Sequence, residues 1–291
     1  MTTETLNTRL RRLVEPGRGT LLPGAGNALA ARFIVAAGFD AVFVSGAAVA
    51  NTFLGKPDIG LTSVTELVDH VAAIRDAVDV PIVVDADTGF GNAINVQRTV
   101  RALERAGANA IMIEDQTSPK RCGHFDGKDV VPAAEMIQKI RAACDARADA
   151  SMMILARTDA RAVEGLQGAL DRANRYREAG ADWLFVEAPR SVEELAAIPA
   201  GVPGPHLCNM VIGGKTPLLP REALARMGYG GIGYANAALQ ASMMAMRRVL
   251  GHLHEHGSIA GAEDQLMMFE ERQRMLDHDG FKALEKRYAA D

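Results

Sequence analysis

The sequence predicts an α/β fold, a closed (β/α)8 barrel of the TIM type followed by a C-terminal helical arm. Three observations predict it. First, one short pattern recurs. Ala37-Gly38-Phe39-Asp40 leads into AVFV, Ala106-Gly107-Ala108-Asn109 into AIMI, Ala179-Gly180-Ala181-Asp182 into WLFV, and Met227-Gly228-Tyr229-Gly230, more weakly, into GIGY. Each reads as a helix end, a glycine past it and a short buried strand. Second, the apolar runs are continuous rather than alternating, as in strands covered on both faces of a parallel sheet. Third, strand candidates alternate with helical patterns eight times over 291 residues, room for one barrel of about 250 residues and an extra arm. An open doubly wound sheet is the alternative architecture, but no G-x-G-x-x-G follows the first strand, which counts against a dinucleotide-binding version.

In chain order, the strands fall at 20–23, 41–44, 81–85, 110–113, 152–157, 183–186, 206–209 and 231–234. Between them, residues 64–78 carry apolar side chains near i, i+3, i+4 and i+7, and 133–144 reads likewise as a helix. After about Gly257 the alternation stops, and 261–276 and 281–290 read as two helices rich in Glu, Arg and Met. The expected organisation is a barrel over 1–257 and an arm over 258–291 in the same domain, packed on the barrel or on a neighbouring subunit.

Composition narrows the function classes. Hydrophobic residues at 48% and charged residues at 23% suit a soluble globular chain, and a net charge of -4 offers no basic field for nucleic acid or an anionic membrane. No apolar run of about 18 residues predicts a membrane span, and MTTETLNTRLRRL does not read as a signal peptide. Three cysteines cannot form a disulfide framework, so a reducing cytoplasm is expected.

Barrel enzymes carry their chemistry at the C-terminal strand ends. There the chain has Ser45-Gly46-Ala47, Asp85-Ala86-Asp87, Glu114-Asp115, Arg157-Thr158-Asp159, Glu187 and Asn209. Several carboxylates converging on one rim repel one another unless a cation intervenes, and an all-oxygen set favours Mg²⁺ or Mn²⁺ over zinc. The alternative is that the acids cap helices or pair with arginine. Arg157 offers a two-point fork for a substrate carboxylate, or an ion pair with a rim acid. Ser45, Gly46 and Ala47 offer consecutive N–H groups for an anionic oxygen. After strand four, Lys120-Arg121-Cys122-Gly123-His124 sets a thiol between cations on a polar loop, where its thiolate should be stabilised; with Gly123 and Gly127 this loop could close as a lid. His252, His254 and His256 suit a helix C-terminus rather than a metal site, and Met243, Met244 and Met246 read as core or subunit contact.

The runs D-A-D-T-G-F-G at 85–91, I-E-D-Q at 113–116, K-R-C-G-H at 120–124, A-R-T-D-A at 156–160 and N-M-V-x-G-G-K-T-P at 209–217 resemble the isocitrate lyase / phosphoenolpyruvate mutase superfamily in order and spacing over about 23–257. The cysteine loop resembles its carbon–carbon lyase branch, which holds methylisocitrate, 2,3-dimethylmalate and petal-death type lyases. The resemblance implies a barrel whose last helix swaps between subunits of a homotetramer or dimer of dimers. It implies that Asp85 binds Mg²⁺ directly, with Asp87 and Glu114 acting through water, and that Ser45, Gly46 and Ala47 hold a 2-oxo acid carboxylate. It further implies that Arg157 contacts the same substrate, that Glu187 and Asn209 line the pocket, that the loop bearing Asp58 reaches it, and that Cys122, in the Lys120–His124 motif, protonates the departing carbanion.

Departures from the pattern bear on substrate. Ile212 stands where a Glu usually follows the asparagine strand, and Gln240 and Glu270 stand where methylisocitrate lyases carry arginines. An unmatched third carboxylate is costly to desolvate. The expected reaction is therefore cleavage of a 2-alkylmalate-type dicarboxylate to pyruvate and a carboxylic acid. Methylisocitrate cleavage to pyruvate and succinate, oxaloacetate decarboxylation, phosphonomutase chemistry and a catalytically silent binding barrel are the alternatives.

Overall fold

The computed structural model describes residues 4–125 and 127–289. Eight parallel strands close into one barrel in sequence order: β1 Thr20–Ala25, β2 Val42–Val44, β3 Ile82–Asp85, β4 Ala110–Glu114, β5 Met153–Thr158, β6 Trp183–Val186, β7 His206–Asn209 and β8 Gly231–Tyr234, with β8 pairing back onto β1. The helices are α1 Leu6–Leu13, α2 Ala28–Ala36, α3 Gly46–Val49, α4 Val64–Ala77, α5 Ala93–Arg105, α6 Ala133–Ala146, α7 Gly165–Glu178, α8 Val192–Gly201, α9 Arg221–Met227, α10 Ala237–His256, α11 Phe269–Met275 and α12 His278–Tyr288. The open-sheet alternative is thereby excluded.

Strand periodicity sorts the residues into two layers. Phe43, Val83, Met112, Met153, Leu155, Trp183, Phe185 and Leu207 fill the barrel, with Leu10 and Val14 of the α1 segment packed in the same cluster. The intervening Val44, Val84, Ile111, Ile113, Ile154, Ala156 and Val186 pack in the cluster formed with the helices. Extending the inward series by two residues along each strand reaches Asp85 on β3, Glu114 on β4, Arg157 on β5, Glu187 after β6 and Asn209 on β7. The polar site is thus the top layer of the barrel interior. Local signals fix the helix starts: Ser63 caps α4 in a capping box with Glu66, and Asn92 with Asn95 does the same for α5.

By internal contacts the chain forms two compact units, Met1–Leu239 and Gln240–Asp291. The division falls near the start of α10, earlier than the expected 257/258 boundary. Within the second unit the expected 261–276 helix is reduced to a 3-10 turn at Glu263–Gln265 and the short α11. The Glu263 carboxylate accepts the Gly261 N–H at 2.8 Å, a local side-chain bond that competes with helix propagation. Among the described residues no helix is long and apolar enough to cross a membrane.

Candidate active site

A pocket of about 510 Å³, counting its open mouth, lies over the C-terminal strand ends. Its walls include Ser45, Ala47, Asp58, Asp85, Cys122, Gly123, His124, Arg157, Glu187, Asn209 and Asn236, over a floor of Phe43, Met112, Phe185 and Leu207. Residues far apart in the chain thus meet where strand alternation and the strand-end loops direct them.

The acidic side is built on β2, β3 and β4. Gly46 lies so close to Asp85 and Asp87 that a Cβ there would sit 3.2 and 3.1 Å from their oxygens. Its N–H donates to Asp85 Oδ2 at 3.4 Å, and the Asp87 N–H donates to Asp85 Oδ1 at 3.1 Å. Asp87 adopts φ 49°, a left-handed conformation that costs a non-glycine residue energy and recurs at functional sites. Lys120 is buried against this cluster, 2.8 Å from Asp87 and 2.5 Å from Asp58. Burial pulls its ammonium down, but Asp87, Glu114, Asp85 and Asp58 outweigh it and hold it well above the usual lysine value. Lys120 is therefore a fixed cation at this site and not a proton acceptor. Burial pushes the Asp87 carboxyl up to about 6 in spite of Lys120.

Glu114 is buried, and neither of its oxygens has a hydrogen-bond partner. Arg157 Nη1 approaches Oε2 at 3.2 Å. Burial drives the Glu114 carboxyl well above its usual value against the pull of Arg157. Among the described residues no three His, Cys, Asp or Glu side chains converge tightly enough to hold a metal by themselves. Asp85 facing the pocket, and the buried Glu114 with no hydrogen-bond partner on either oxygen, would suit an ion that keeps much of its hydration, as Mg²⁺ does. The residues present fit that ion.

Arg157 departs from the substrate-fork expectation. Its Nε and Nη2 grip Asp159 at 2.9 and 3.1 Å, and Nη2 also meets Glu187 Oε2 at 3.1 Å. The two-point fork belongs to Asp159, because residues two apart on a strand share a face. Arg157 lines the pocket, but each of its guanidinium nitrogens faces a rim acid. Asp115, grouped with the rim by sequence, points the other way. It takes bonds from Thr158 Oγ1, the Asp159 N–H and the Tyr176 hydroxyl, and faces Arg172 at 3.3 Å.

The cysteine loop lies down on the pocket. Gly123 touches the buried ion pair so closely that a Cβ would stand 2.4 Å from Arg157 Nη2 and 2.6 Å from the Glu187 carboxyl carbon. The Gln116 side chain holds the backbone of Arg121 in both directions, accepting its N–H at 2.9 Å and donating to its carbonyl at 2.8 Å. His124 Nδ1 accepts the Lys215 N–H at 3.1 Å, which places the ring proton on Nε2, 3.4 Å from Glu187 Oε1. Burial lowers the His124 pKa, so the ring is neutral. The thiolate expectation is corrected here. Burial pushes the Cys122 thiol up, with Asp58 and Glu187 adding to the rise, because Lys120 is spent on Asp58 and Asp87 instead of on the sulfur. Cys122 is a thiol that keeps its proton.

Ser45 caps α3, accepting the Ala48 N–H, and stands 3.5 Å from Asn236 Oδ1. Asn209 lines the pocket with a buried Oδ1 that has no partner. Ile212 is not among the lining residues; it is 61% exposed, and its neighbour Val211 takes the wall position. Gln240 and Glu270 belong to the second unit. Sequence reasoning missed Asn236, Gln116 and Lys128. Gln116 lay inside a quoted motif, whereas Lys128 and Asn236 carried no motif signal.

The family model described as phosphoenolpyruvate phosphomutase matches residues 10–254. The chain is 42% identical over 281 residues to 2,3-dimethylmalate lyase of Eubacterium barkeri, covering 97% of each. It is 44% identical over 280 residues to 2-methylisocitrate lyase of Aeropyrum pernix, covering 96% of this chain and 89% of that one. The structure superposes on phosphonopyruvate hydrolase in complex with oxalate and Mg²⁺ with a TM-score of 0.88 and 32% identity, covering 98% and 99% of the two chains. With matches of this extent and a barrel that carries the motif residues around one pocket, the chain belongs to the phosphoenolpyruvate mutase / isocitrate lyase superfamily.

Proposed function

We propose that the protein is a Mg²⁺-dependent carbon–carbon lyase that cleaves a 2-alkylmalate-type dicarboxylate to pyruvate and a carboxylic acid. The observation that carries this reading is that Cys122 lines the same pocket as Asp85, Arg157 and Glu187; burial, which pushes its thiol up, suits it to donate a proton. Cleavage next to a tertiary alcohol leaves a carbanion beside a carboxylate, which needs a proton delivered on one face, and a buried thiol can act as that general acid. Asp85 would hold the metal directly, with Asp87 and Glu114 acting through water. Bound there, Mg²⁺, or Mn²⁺ in its place, would polarise the 2-hydroxy acid so that its hydroxyl proton passes more readily to a rim carboxylate, the electron pair then moving through the breaking C–C bond to the carbanion that Cys122 protonates. The N–H groups of Gly46 and Ala47, the Ser45 hydroxyl and the amides of Asn209 and Asn236 provide neutral donors for a substrate carboxylate. The fixed Lys120 ammonium offsets the charge of Asp58 and Asp87, and the closed loop excludes water from the departing carbanion.

Among the described lining residues Arg157 is the only Arg or Lys, and its fork is engaged by Asp159. A third carboxylate would enter without a free counter-charge, which favours a dicarboxylate over methylisocitrate. The test is pyruvate release with Mg²⁺ from substituted malates, methylisocitrate and oxaloacetate. Turnover of an alkylmalate at least roughly tenfold above methylisocitrate, about 1.4 kcal/mol in the barrier, and its loss with a chelator, is expected. Release from oxaloacetate alone would make the protein a decarboxylase.

The partner we assign is a further copy of this chain. In α10 no residue is buried, and Met243, Met244, Met246, Leu250 and Leu253 are 40–60% exposed. Apolar exposure of this extent along one helix marks a contact surface. Light scattering on the purified protein should give the mass of a tetramer; a monomeric mass at micromolar concentration would refute the assignment. We place the protein in the cytoplasm, where its three free cysteines stay reduced.

A further inference from the structure

Lys128 has no part in the chemistry above, yet its side chain is only 2% exposed. A lysine buried this far must be held by partners. It has two. Its ammonium donates to the Gly123 carbonyl, and it pairs with Asp159 at 3.0 Å. Asp159 is the acid that grips the Arg157 guanidinium with both oxygens. On its other side, the Gly123 backbone rests against Arg157 and Glu187, with no room for a Cβ. The peptide next to Cys122 is therefore clamped between two ion pairs, Lys128–Asp159 and Arg157–Glu187, which the Asp159–Arg157 contact joins.

We infer that Lys128 is a positioning residue for the lyase reaction: it bolts the Gly123 peptide to the Asp159–Arg157 pair and so fixes where the Cys122 thiol stands over the pocket. Lys120, Gln116 and the Lys215 N–H hold other points of the same loop, at Asp58 and Asp87, at Arg121 and at His124. Lys128 alone among these contacts acts on the residue that follows the thiol. An arginine there can keep the bond to Asp159 and reach a carbonyl, whereas a methionine fills similar volume and can do neither. The inference rests on the proposed role of Cys122, but its first readout does not.

The experiment compares Lys128→Met and Lys128→Arg with the parent protein. The rate at which iodoacetamide alkylates Cys122 is followed by peptide mass, which separates it from Cys144 and Cys208. In Lys128→Met the rate should rise roughly ten- to a hundredfold, the range for losing a buried hydrogen bond to a charged group. In the same variant kcat for the alkylmalate should fall by a similar factor with KM changed less than about threefold, because the thiol acts in the transition state more than in binding. Lys128→Arg should reverse most of both changes. Alkylation and kcat within threefold of the parent in folded Lys128→Met would overturn the inference, as would equal losses in both variants, the mark of a merely structural lysine. Faster alkylation in Lys128→Met, with no lyase turnover even in the parent, would leave the positioning role standing and refute the proposed activity instead.

Discussion

Arg157→Met is expected to be the most destabilising single substitution in the site. Arg157 is buried, and its guanidinium faces Glu114 at 3.2 Å, Asp159 at 2.9 Å and Glu187 at 3.1 Å. Removing the cation leaves three buried carboxylates, of which only Asp159 keeps a lysine partner, Lys128. Breaking one buried pair in this way costs about 3–5 kcal/mol, and here the cation serves three acids. In a chain of this size a loss of that order lowers Tm by roughly 10 °C. The deficit should depend on pH with a definite sign. Burial already holds the Glu114 carboxyl well above its usual value with Arg157 present, and without the guanidinium it rises further. A group whose folded pKa lies above its unfolded one binds more protons when folded, so the variant loses stability as pH rises through that window. The melting deficit of chelator-treated Arg157→Met against parent protein should therefore be smaller in acid and grow as pH rises above the ordinary carboxylate range. A variant that melts within 2 °C of the parent at pH 8, about 1 kcal/mol or less, would show that Arg157 is not the counter-ion of these acids.

The barrel was legible because its signals are local. Gly38, Gly107, Gly180 and Gly228 all take positive φ at helix ends, and the apolar runs that follow them are buried strands. Period two along those strands then ordered the site, since Asp85, Glu114, Arg157 and Asn209 lie on strands whose inward residues fill the barrel. The same rule, carried one step further, assigns the Arg157 fork to Asp159 and turns Asp115 outward. Those two corrections were available in the spacing R-T-D and E-D. What sequence could not supply is burial of a loop side chain. Lys120 and Arg121 flank Cys122 in the chain, but flanking residues point in different directions. Lys120 turns to Asp58, 62 residues away, and the sulfur is left desolvated. Lys128 was invisible for the same reason, because its partners Gly123 and Asp159 become its neighbours only when the loop lies on β5. The arm misled because Glu- and Arg-rich segments score as helix from propensity, which a Gly261 turn with its own side-chain bond overrides.

Cys122→Ser should lower kcat on the alkylmalate by roughly 10²–10⁴, the range for one general acid, while leaving Tm within about 2 °C. A hydroxyl fills nearly the same space and is far less acidic, so it occupies the position without delivering the proton at the same rate. The pH profile separates this role from a nucleophilic or purely structural one. A general acid works only while protonated. Activity that depends on Cys122 is therefore present below the thiol's pKa and lost as pH rises through it. Burial raises that pKa above the usual thiol value, so the alkaline limb should lie above the range of an exposed cysteine, and the enzyme should run at full rate through neutral pH. In Cys122→Ser the alkaline limb should disappear, because serine does not titrate there. A thiolate nucleophile predicts the opposite slope, with activity gained as pH rises. A profile of kcat/KM from pH 6 to 10 for parent and Cys122→Ser, on whichever malate turns over, decides among them. A rising limb in the parent would convict the thiolate, and an unchanged falling limb in Cys122→Ser would assign the titration to another group and remove Cys122 from the chemistry.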